Sequence, residues 1–303
     1  MMTRTAPVTL LLFAAVPAMF ASNMAIARWF DGRIPPMTLA SLRWLIAGAI
    51  LTIIIGRARP SLQVLARNAG LLAVLTMLGG VLSVAPQYAA ATRTEAGHIA
   101  LIFATSPLMV SFIERLVWNR ALSAPVLAGS VLAFAGIAVV VSRGAPGTLL
   151  ALRFNPGDLL ALAAVMAWAG YTALTRRADS GLSPMVQLWV LALGSGVALL
   201  PAAGAEVVAG HLPEITVATV LGVVALATVA GVGAYCAYGA LIGRIGAARA
   251  AMSMYLVPLW TLAFGALFLN EPVLPYHLSA IALVLAGLGV SNLHLSRPVE
   301  ARA

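Results

Sequence analysis

The chain has 303 residues, of which 62% are hydrophobic and 9% are charged. A soluble domain carries about 25% charged side chains, so this composition excludes an ordinary water-soluble fold. A bilayer core of about 30 Å needs about 20 apolar residues per helix. A chain of this length is therefore predicted to hold many membrane spans with short connections and no sizeable domain outside the membrane.

The 18 basic residues are all arginine, and with 9 acidic residues they give a formal net charge of +9. They lie singly or in pairs at the ends of apolar runs, which is typical of juxtamembrane charges, so we expect no nucleic-acid partner. The single cysteine, Cys236, lies inside an apolar run. This excludes a disulfide framework and a thiol metal site, and we expect neither a metal nor another cofactor.

Ten apolar runs predict an all-α integral membrane protein with ten transmembrane helices. Breakers such as Pro35-Pro36 and Arg176-Arg177 separate them. The runs cover residues 8–30, 38–56, 69–91, 97–118, 125–141, 158–175, 184–203, 215–242, 247–270 and 276–295. The first run follows Arg4 and is also similar to a secretory signal peptide, but its counterpart later in the chain favours a retained helix.

The arginines predict the orientation of the chain. With ten spans, twelve of them lie on the side of the N-terminus and six on the other side, the latter including Arg28, Arg33 and Arg43. The positive-inside rule then predicts that both termini lie in the cytoplasm.

An internal repeat occurs at a spacing of 151 residues. We interpret the chain as two five-helix halves, residues 1–143 and 156–297, joined by a linker at 144–155 and followed by a tail at 298–303. The matches are Gly80 with Gly231, Arg93 with Arg244, Pro107 with Pro258, Asn119 with Asn270 and Gly136 with Gly287, while a spacing of 148 matches Phe20 with Trp168.

Each half has an odd number of helices and the linker is short, so the two halves are predicted to be inserted in opposite orientations. Inverted repeats are typical of secondary transporters, in which the binding site lies between the two repeats and access alternates from one side to the other. The sequence therefore predicts a carrier for small molecules.

Three stretches resemble the EamA family of the drug/metabolite transporter superfamily: residues 93–143 (RTEAGHIALIFATSPLMVSFIERLVWNRALSAPVLAGSVLAFAGIAVVVSR), their partner at 244–292, and GDLLALAAVMAWAGYTALTRR at 157–177. The resemblance covers nearly the whole chain. It implies ten helices, a bacterial inner-membrane location, cytoplasmic termini, and export of small metabolites or amino acids from a cavity lined by helices 1, 3, 4, 6, 8 and 9. The Gly-Glu pair that often closes helix 4 in the family is Asn119-Arg120 here, whereas helix 9 keeps the acid as Asn270-Glu271.

Two prolines are predicted to interrupt the helices that face the cavity. Pro107 and Pro258 cannot donate to the carbonyl four residues back, which would free the carbonyls of Phe103 and Met254. Such turns often line a cavity, although a packed kink without a ligand role is the alternative. Thr105 and Ser106 beside the first proline are candidates for substrate binding.

The other candidates for substrate binding are polar or aromatic residues near mid-membrane. Asn23 and Gln87 must face a partner or water, because unpaired amides are costly in lipid, and interhelical hydrogen bonding is the alternative. Trp168, Tyr171 and Tyr255 could stack on an apolar substrate or fill the core.

Other aromatic residues lie toward the ends of the runs, where an interface belt is expected. Tyr235 and Tyr238 could also close the cytoplasmic mouth of a cavity. Gly79-Gly80 and the pair Gly231 and Gly233 occupy matching places in helices 3 and 8, which favours close helix packing or flexing during transport. The belt candidates are Trp29, Trp118, Trp189, Tyr276, Tyr235 and Tyr238.

The means of energy coupling stays open. All nine acids fall at helix ends or in loops, so no buried carboxylate is expected. Glu95 and His98 lie on one face of helix 4 and could form a proton-coupling pair, although an ordinary acidic helix start with a nearby histidine is the alternative. Uniport is also open, and ATP coupling is not expected because the chain contains no P-loop.

Catalysis is not expected, because the four histidines are far apart and form no metal set. A non-transporting membrane scaffold or transporter subunit is the alternative to a carrier, and a tightly packed interior without a central cavity would mark it. The predicted partners are a small-molecule substrate, the lipid bilayer and, as an open alternative, a second copy of the chain in a homodimer.

Overall fold

The computed structural model describes residues 6–93, 99, 102–103, 105–120, 124–142, 144–145, 147, 156–175, 180–268 and 274–292. All regular structure in these ranges is helical. A short, largely exposed helix, Leu62–Arg67, precedes α3. The helices are α1 Ala6–Trp29, α2 Pro36–Ile55, α3 Ala69–Ala91, α4 Ser106–Trp118, α5 Ala124–Val141, α6 Pro156–Thr175, α7 Pro184–Val208, α8 Val217–Ile245, α9 in three adjoining pieces (Ala247–Met252, Ser253–Leu256 and Val257–Phe268) and α10 Pro275–Asn292.

Six helices in the described part of the chain are long and apolar enough to cross a membrane, namely α1, α2, α3, α6, α7 and α8. Shorter apolar helices cover Ala124–Gly136 and Pro275–Gly287 within α5 and α10. The all-helical membrane fold is thus confirmed, whereas the count of ten crossings stays a prediction. Four helices begin at a proline, where the missing N–H costs nothing.

Helices α2 and α7 pack antiparallel through two glycines. Gly48 lies against the Leu193 side chain, and Gly196 lies against Leu45, each so closely that an added methyl would overlap the leucine. At a spacing of 148, Leu45 corresponds to Leu193 and Gly48 to Gly196. Each glycine therefore contacts the leucine that corresponds to the other's partner, and the two contacts are reciprocal. Small residues let membrane helices approach closely, and van der Waals packing then stabilises the pair.

Helices α5 and α10 repeat this arrangement. Gly136 lies against the Ala280 carbonyl and the Val284 side chain, and Gly287 lies against the Gly129 carbonyl and the Ala133 backbone nitrogen. The residues exchange roles at a spacing of 151, so this contact is reciprocal as well. Neighbour relations follow the same rule, because α1 packs on α8 and α9 while α6 packs on α3 and α4.

A π-helical turn interrupts α3 at Met77–Val81 and α8 at Leu226–Gly233. Such turns leave backbone carbonyls without their usual partner, and side chains of the core fill the vacant positions. Trp44 donates from Nε1 to the Gly80 carbonyl at 2.9 Å, and the Tyr235 hydroxyl donates to the Gly79 carbonyl. The glycine pairs predicted to matter in α3 and α8 therefore lie at irregular turns, and in α3 both glycines are closely packed against α6 and α7.

The two prolines interrupt their helices differently from the prediction. Pro107 lies in the first turn of α4, where proline is tolerated. In α9 the piece Ser253–Leu256 is a 3₁₀ turn, and the Val257 N–H donates to the Met254 carbonyl. The prediction that Pro258 frees this carbonyl was wrong, because the tighter turn brings a donor from three residues ahead.

The prediction that no carboxylate is buried was also wrong. Glu114 in α4 and Asp158 in the first turn of α6 are both buried. Position in the sequence near a helix end does not prevent burial when neighbouring helices cover that end. Glu114 lies 4.0 Å from Arg120, which partly offsets the cost of burial.

A third acid, Glu206, joins the two halves of the chain. It lies in the last turns of α7 and accepts hydrogen bonds at 2.8 to 2.9 Å from the backbone N–H groups of Met37 and Thr38 and from the Thr38 hydroxyl. The residue before α2 is Pro35, which supplies no side-chain cap. Glu206 thus caps α2 from the other half, where the exposed N–H groups and the helix dipole favour an anion.

Candidate functional site

A cavity of about 50 Å³ lies between the helices. Its wall takes residues from α1, α2, α3, α6, α8 and α9 and from Phe103 ahead of α4. This set contains the helices that the family resemblance implies, with α2 in addition. The lining residues are Phe20, Asn23, Arg43, Ser83, Val84, Gln87, Phe103, Trp168, Tyr235, Met254, Val257 and Pro258.

The most unusual member of the wall is Arg43, which is 1% exposed. It is the eighth residue of α2, so it lies about 10 Å along the helix axis from the first residue. Nη1 donates to Asn23 Oδ1 at 2.8 Å and to the Tyr88 hydroxyl at 2.9 Å, and Nη2 donates to the Ala230 carbonyl at 3.1 Å. That carbonyl belongs to the π-helical turn of α8.

All these partners of the guanidinium are neutral. The Tyr88 hydroxyl itself donates to Asn23 Oδ1 at 2.7 Å, so three side chains form a closed triangle. Among the described residues no carboxylate forms an ion pair with Arg43, and its Nε atom is buried without a hydrogen-bond partner. A buried charge without a counter-ion is costly, and arginine does not deprotonate in proteins.

Sequence reasoning counted Arg43 with the charges of the non-cytoplasmic side, although the residue falls inside the apolar run 38–56. The residue lies within the described helix, so it says nothing about sidedness, and the six arginines of that side become five. The signal that would have identified it is a lone ionisable residue inside an apolar run, which by default marks a functional site.

Most of the wall from the second half is aromatic or apolar. Trp168 stacks on Tyr238 at 5.2 Å between ring centroids and meets Phe20 edge-on at 5.1 Å. Tyr235 contacts Trp168 at 5.5 Å and Trp44 at 5.2 Å. Such edge-to-face and offset contacts hold the rings in fixed positions, so the apolar wall is preorganised.

The polar wall comes from the first half. Asn23, Arg43, Ser83 and Gln87 lie on α1, α2 and α3 and face the cavity together. The cavity is therefore amphipathic, with one cation and three neutral polar side chains opposite a tryptophan, a tyrosine and aliphatic groups.

Of the predicted substrate-binding residues, the structure places Asn23, Gln87 and Trp168 in the cavity wall, together with Pro258. Asn23 also binds other helices through Arg43 and Tyr88, so the interhelical alternative holds for it at the same time. The two roles are compatible, because its side chain both fixes the arginine and borders the space.

The other predicted residues lie outside this wall. Tyr171 lies behind Trp168 against Gly79, and Thr105 donates to the Ile102 carbonyl at 2.6 Å. Ser106 is fully buried with an unpartnered hydroxyl. Tyr255 packs with Ala133 and Val284 between α5 and α10. Substrate contact by these four residues stays a prediction without support from the cavity geometry.

The predicted interface position of Tyr235 and Tyr238 was wrong, whereas their closing a cytoplasmic mouth of the cavity stays a prediction. Both are buried in the aromatic cluster around Trp168. The position of a residue along an apolar run does not show that α1, α2, α6 and α8 meet around this cluster. The predicted proton pair, Glu95 and His98, lies outside the described residues, as do Asn270 and Glu271.

Apolar helices long enough to cross a bilayer, packed around an amphipathic cavity, define the class of membrane transport proteins. The model of the EamA-like transporter family matches this chain twice, over residues 7–142 and 155–293. The chain belongs to this family, and the predicted membership is confirmed.

Relatives agree with this membership. The chain is 28% identical to a "Probable amino-acid metabolite efflux pump" of Salmonella typhimurium, covering 91% of this chain and 92% of that protein. It is 25% identical to "Uncharacterized transporter YvbV" of Bacillus subtilis, over 96% of this chain and 92% of the relative. It is 29% identical to "Aromatic amino acid exporter YddG" of Ancylobacter novellus, over 56% and 58% of the two chains.

A solved structure described as "Crystal structure of protein" superimposes with a TM-score of 0.72 at 22% identity, covering 95% of this chain and 97% of the other. This likeness shows the fold. The chain is accordingly a multi-pass membrane protein of a transporter family rather than an enzyme, with a small molecule as its substrate. Its bacterial relatives favour the inner membrane.

Proposed function

We propose that the protein is a secondary transporter that exports small metabolites or amino acids by alternating access through the cavity. The observation that carries this proposal is the cavity itself, whose wall takes residues from both halves of the chain. A non-transporting scaffold or subunit would have a packed interior. Two relatives, named as a probable efflux pump and as an amino acid exporter, support the direction and the broad class of substrate.

In this proposal, alternating access depends on two halves of the chain that are inserted in opposite orientations, residues 1–143 and 156–297. The reciprocal glycine contacts of α2 with α7 and of α5 with α10 support it, because a two-fold axis makes each contact occur twice with the residues exchanged. Exchanging the conformations of the two halves then moves the opening from one side of the membrane to the other.

The orientation with both termini in the cytoplasm places three connections together on the outer side. They follow α1, α3 and α7, and residues of each, including Arg33, Thr92 and His211, line one surface cleft. Glu206 lies in the same cleft with the α2 N-terminus. Because residues of all three connections line one cleft, these connections lie on the same side of the membrane, as the proposed orientation requires.

Efflux from proteoliposomes tests the function. Vesicles containing the purified protein are loaded with a mixed pool of amino acids and metabolites, and loss of each compound is measured with and without a pH gradient. We expect selective loss of one class. Loss that follows the gradient would indicate proton coupling and direct attention to Glu95 and His98, whereas gradient-independent loss would indicate uniport. Absence of flux for every compound would contradict the proposal and favour a scaffold.

A matched pair of variants ties the flux to the cavity. Val257→Trp places a large ring in the cavity wall, whereas Val117→Trp makes the same change at an exposed position of α4. We expect the first variant to stop efflux and the second to leave it unchanged. Equal flux in both would separate transport from this cavity.

A further inference from the structure

The positive charge of Arg43 lies 4.6 Å from the centre of the Trp44 ring but has no anionic counter-ion among the described residues. Asn23, Tyr88 and the Ala230 carbonyl orient the guanidinium but do not neutralise it. The described lining of the cavity contains no carboxylate, and the Nε donor is buried and unpartnered. An anionic ligand in the cavity would offset both costs at once.

The surroundings of Arg43 restrict the charge of that anion and favour an apolar body. The described lining contains one cation, three neutral polar side chains and otherwise aromatic or aliphatic groups. A single charge matches a carboxylate, whereas a phosphate carries up to two charges and is usually held by several donors. Trp168, Tyr235 and Phe20 provide flat apolar surfaces for the rest of the molecule.

We infer that Arg43 is a binding residue for the carboxylate of the transported substrate, and that the substrate is a small monocarboxylate with an aromatic or aliphatic body, apolar amino acids included. This inference rests on the proposed export function and specifies its substrate class. The guanidinium binds the carboxylate, and Trp168 with its neighbours covers the body.

Four related probes test this division of roles with the purified full-length protein in detergent. They are L-phenylalanine, phenylacetate, phenethylamine and phenyl phosphate, which share a ring and differ in charged groups. Binding is measured by equilibrium dialysis. We expect L-phenylalanine and phenylacetate to bind, and phenethylamine and phenyl phosphate to bind at least tenfold more weakly. Equal binding of phenethylamine would overturn the inference, and preferred binding of the phosphate would overturn the assignment to a carboxylate.

Arg43→Gln removes the cation and should weaken phenylacetate binding by about 10- to 100-fold, the loss expected for a charge-assisted pair. Arg115→Gln is the matched control, because it removes an exposed arginine at the end of α4. Arg43→Lys keeps the charge but loses the planar donor pair, and intermediate affinity is expected. Unchanged affinity in folded Arg43→Gln would contradict the inference.

Asn23→Asp is expected to preserve the fold while placing an anion beside Arg43. Its oxygen already lies 2.8 Å from Nη1 and 2.7 Å from the Tyr88 hydroxyl, so the isosteric aspartate keeps both bonds and adds the missing counter-ion. We expect a raised melting temperature together with loss of phenylacetate binding. Retained binding would show that the anion does not bind at Arg43.

Efflux with the same probes separates the inference from the function on which it rests. If wild-type vesicles release phenylacetate and the Asn23→Asp vesicles do not, both stand. If wild-type vesicles release compounds that lack a carboxylate equally well, the inference fails and the exporter remains. If wild-type vesicles release no compound from the mixed pool, the proposed function fails first.

Discussion

The Tyr235 hydroxyl of α8 donates a hydrogen bond to the Gly79 carbonyl of α3 and so joins the two halves of the chain at the cavity wall. Gly79 lies in the π-helical turn Met77–Val81, where the widened turn leaves carbonyls free for side chains. Gly79 also lies so close to the Tyr171 ring that a methyl group would overlap it. An irregular turn in one half is therefore held by aromatic residues of the other half.

Tyr235→Phe keeps the ring and its contacts with Trp168 but loses this hydrogen bond. We expect a loss of stability of about 1 kcal/mol, measured as a lower midpoint of thermal unfolding in detergent, because the Gly79 carbonyl keeps only the bond from Ser83. Tyr276→Phe is the control at a less buried position. If Tyr276→Phe lowered the unfolding midpoint as much as Tyr235→Phe, the hydrogen bond to Gly79 would not be the cause of the loss.

Substituting alanine at two glycines of α10, Gly287 and Gly289, is expected to have opposite effects on stability. A methyl at Gly287 would lie 2.8 Å from the Ala133 nitrogen, and the backbone there cannot move aside, whereas Gly289 has no atom within 4 Å of that position. We expect Gly287→Ala to destabilise the protein by about 1–3 kcal/mol, and Gly289→Ala to stabilise it by up to about 1 kcal/mol. Thermal unfolding of the two variants checks this, and equal midpoints would rule out the close α5–α10 contact.

Helix positions were predictable from sequence because a span requires a long apolar run, and such runs leave little freedom in placement. Residues 69–91, for example, were predicted as one helix and form α3 with the same bounds. Hydrophobic averaging also explains the main error. One charge in a 20-residue apolar helix barely changes the mean, so Arg43 was counted only with the charges of the non-cytoplasmic side although it lies inside α2.

The candidate site was only partly predictable, because the direction of a side chain depends on helix phase. Asn23, Gln87 and Trp168 lie on regular turns and do reach the cavity. Tyr255 lies in the 3₁₀ turn Ser253–Leu256, in which each residue advances by about 120° rather than about 100°. That change in phase accompanies a tyrosine directed toward α5 and α10, and the residue pattern alone did not reveal the turn.

Glu206→Gln tests the contact that caps α2 from the other half. The single amide oxygen can keep the bonds of only one carboxylate oxygen, either that from the Met37 N–H or those from the Thr38 N–H and hydroxyl. The amide also lacks the charge that the helix N-terminus favours. We expect a loss of about 1 kcal/mol of stability, measured by thermal unfolding. Glu214→Gln, at an exposed position in the next connection, should have no effect. An equal loss in both variants would indicate a general effect of net charge.

Trp168 and Tyr255 were predicted alike from sequence, and the structure assigns them different effects. Trp168 lies in the cavity wall, so Trp168→Ala removes the apolar surface that would cover the substrate, and we expect the dissociation constant of a transported compound to rise at least tenfold. Tyr255→Phe changes a buried residue away from the described wall, so affinity should stay the same. Efflux rates over a range of internal concentrations measure both. Unchanged transport by Trp168→Ala would remove this residue from the substrate site, and reduced affinity in Tyr255→Phe would restore the tyrosine to it.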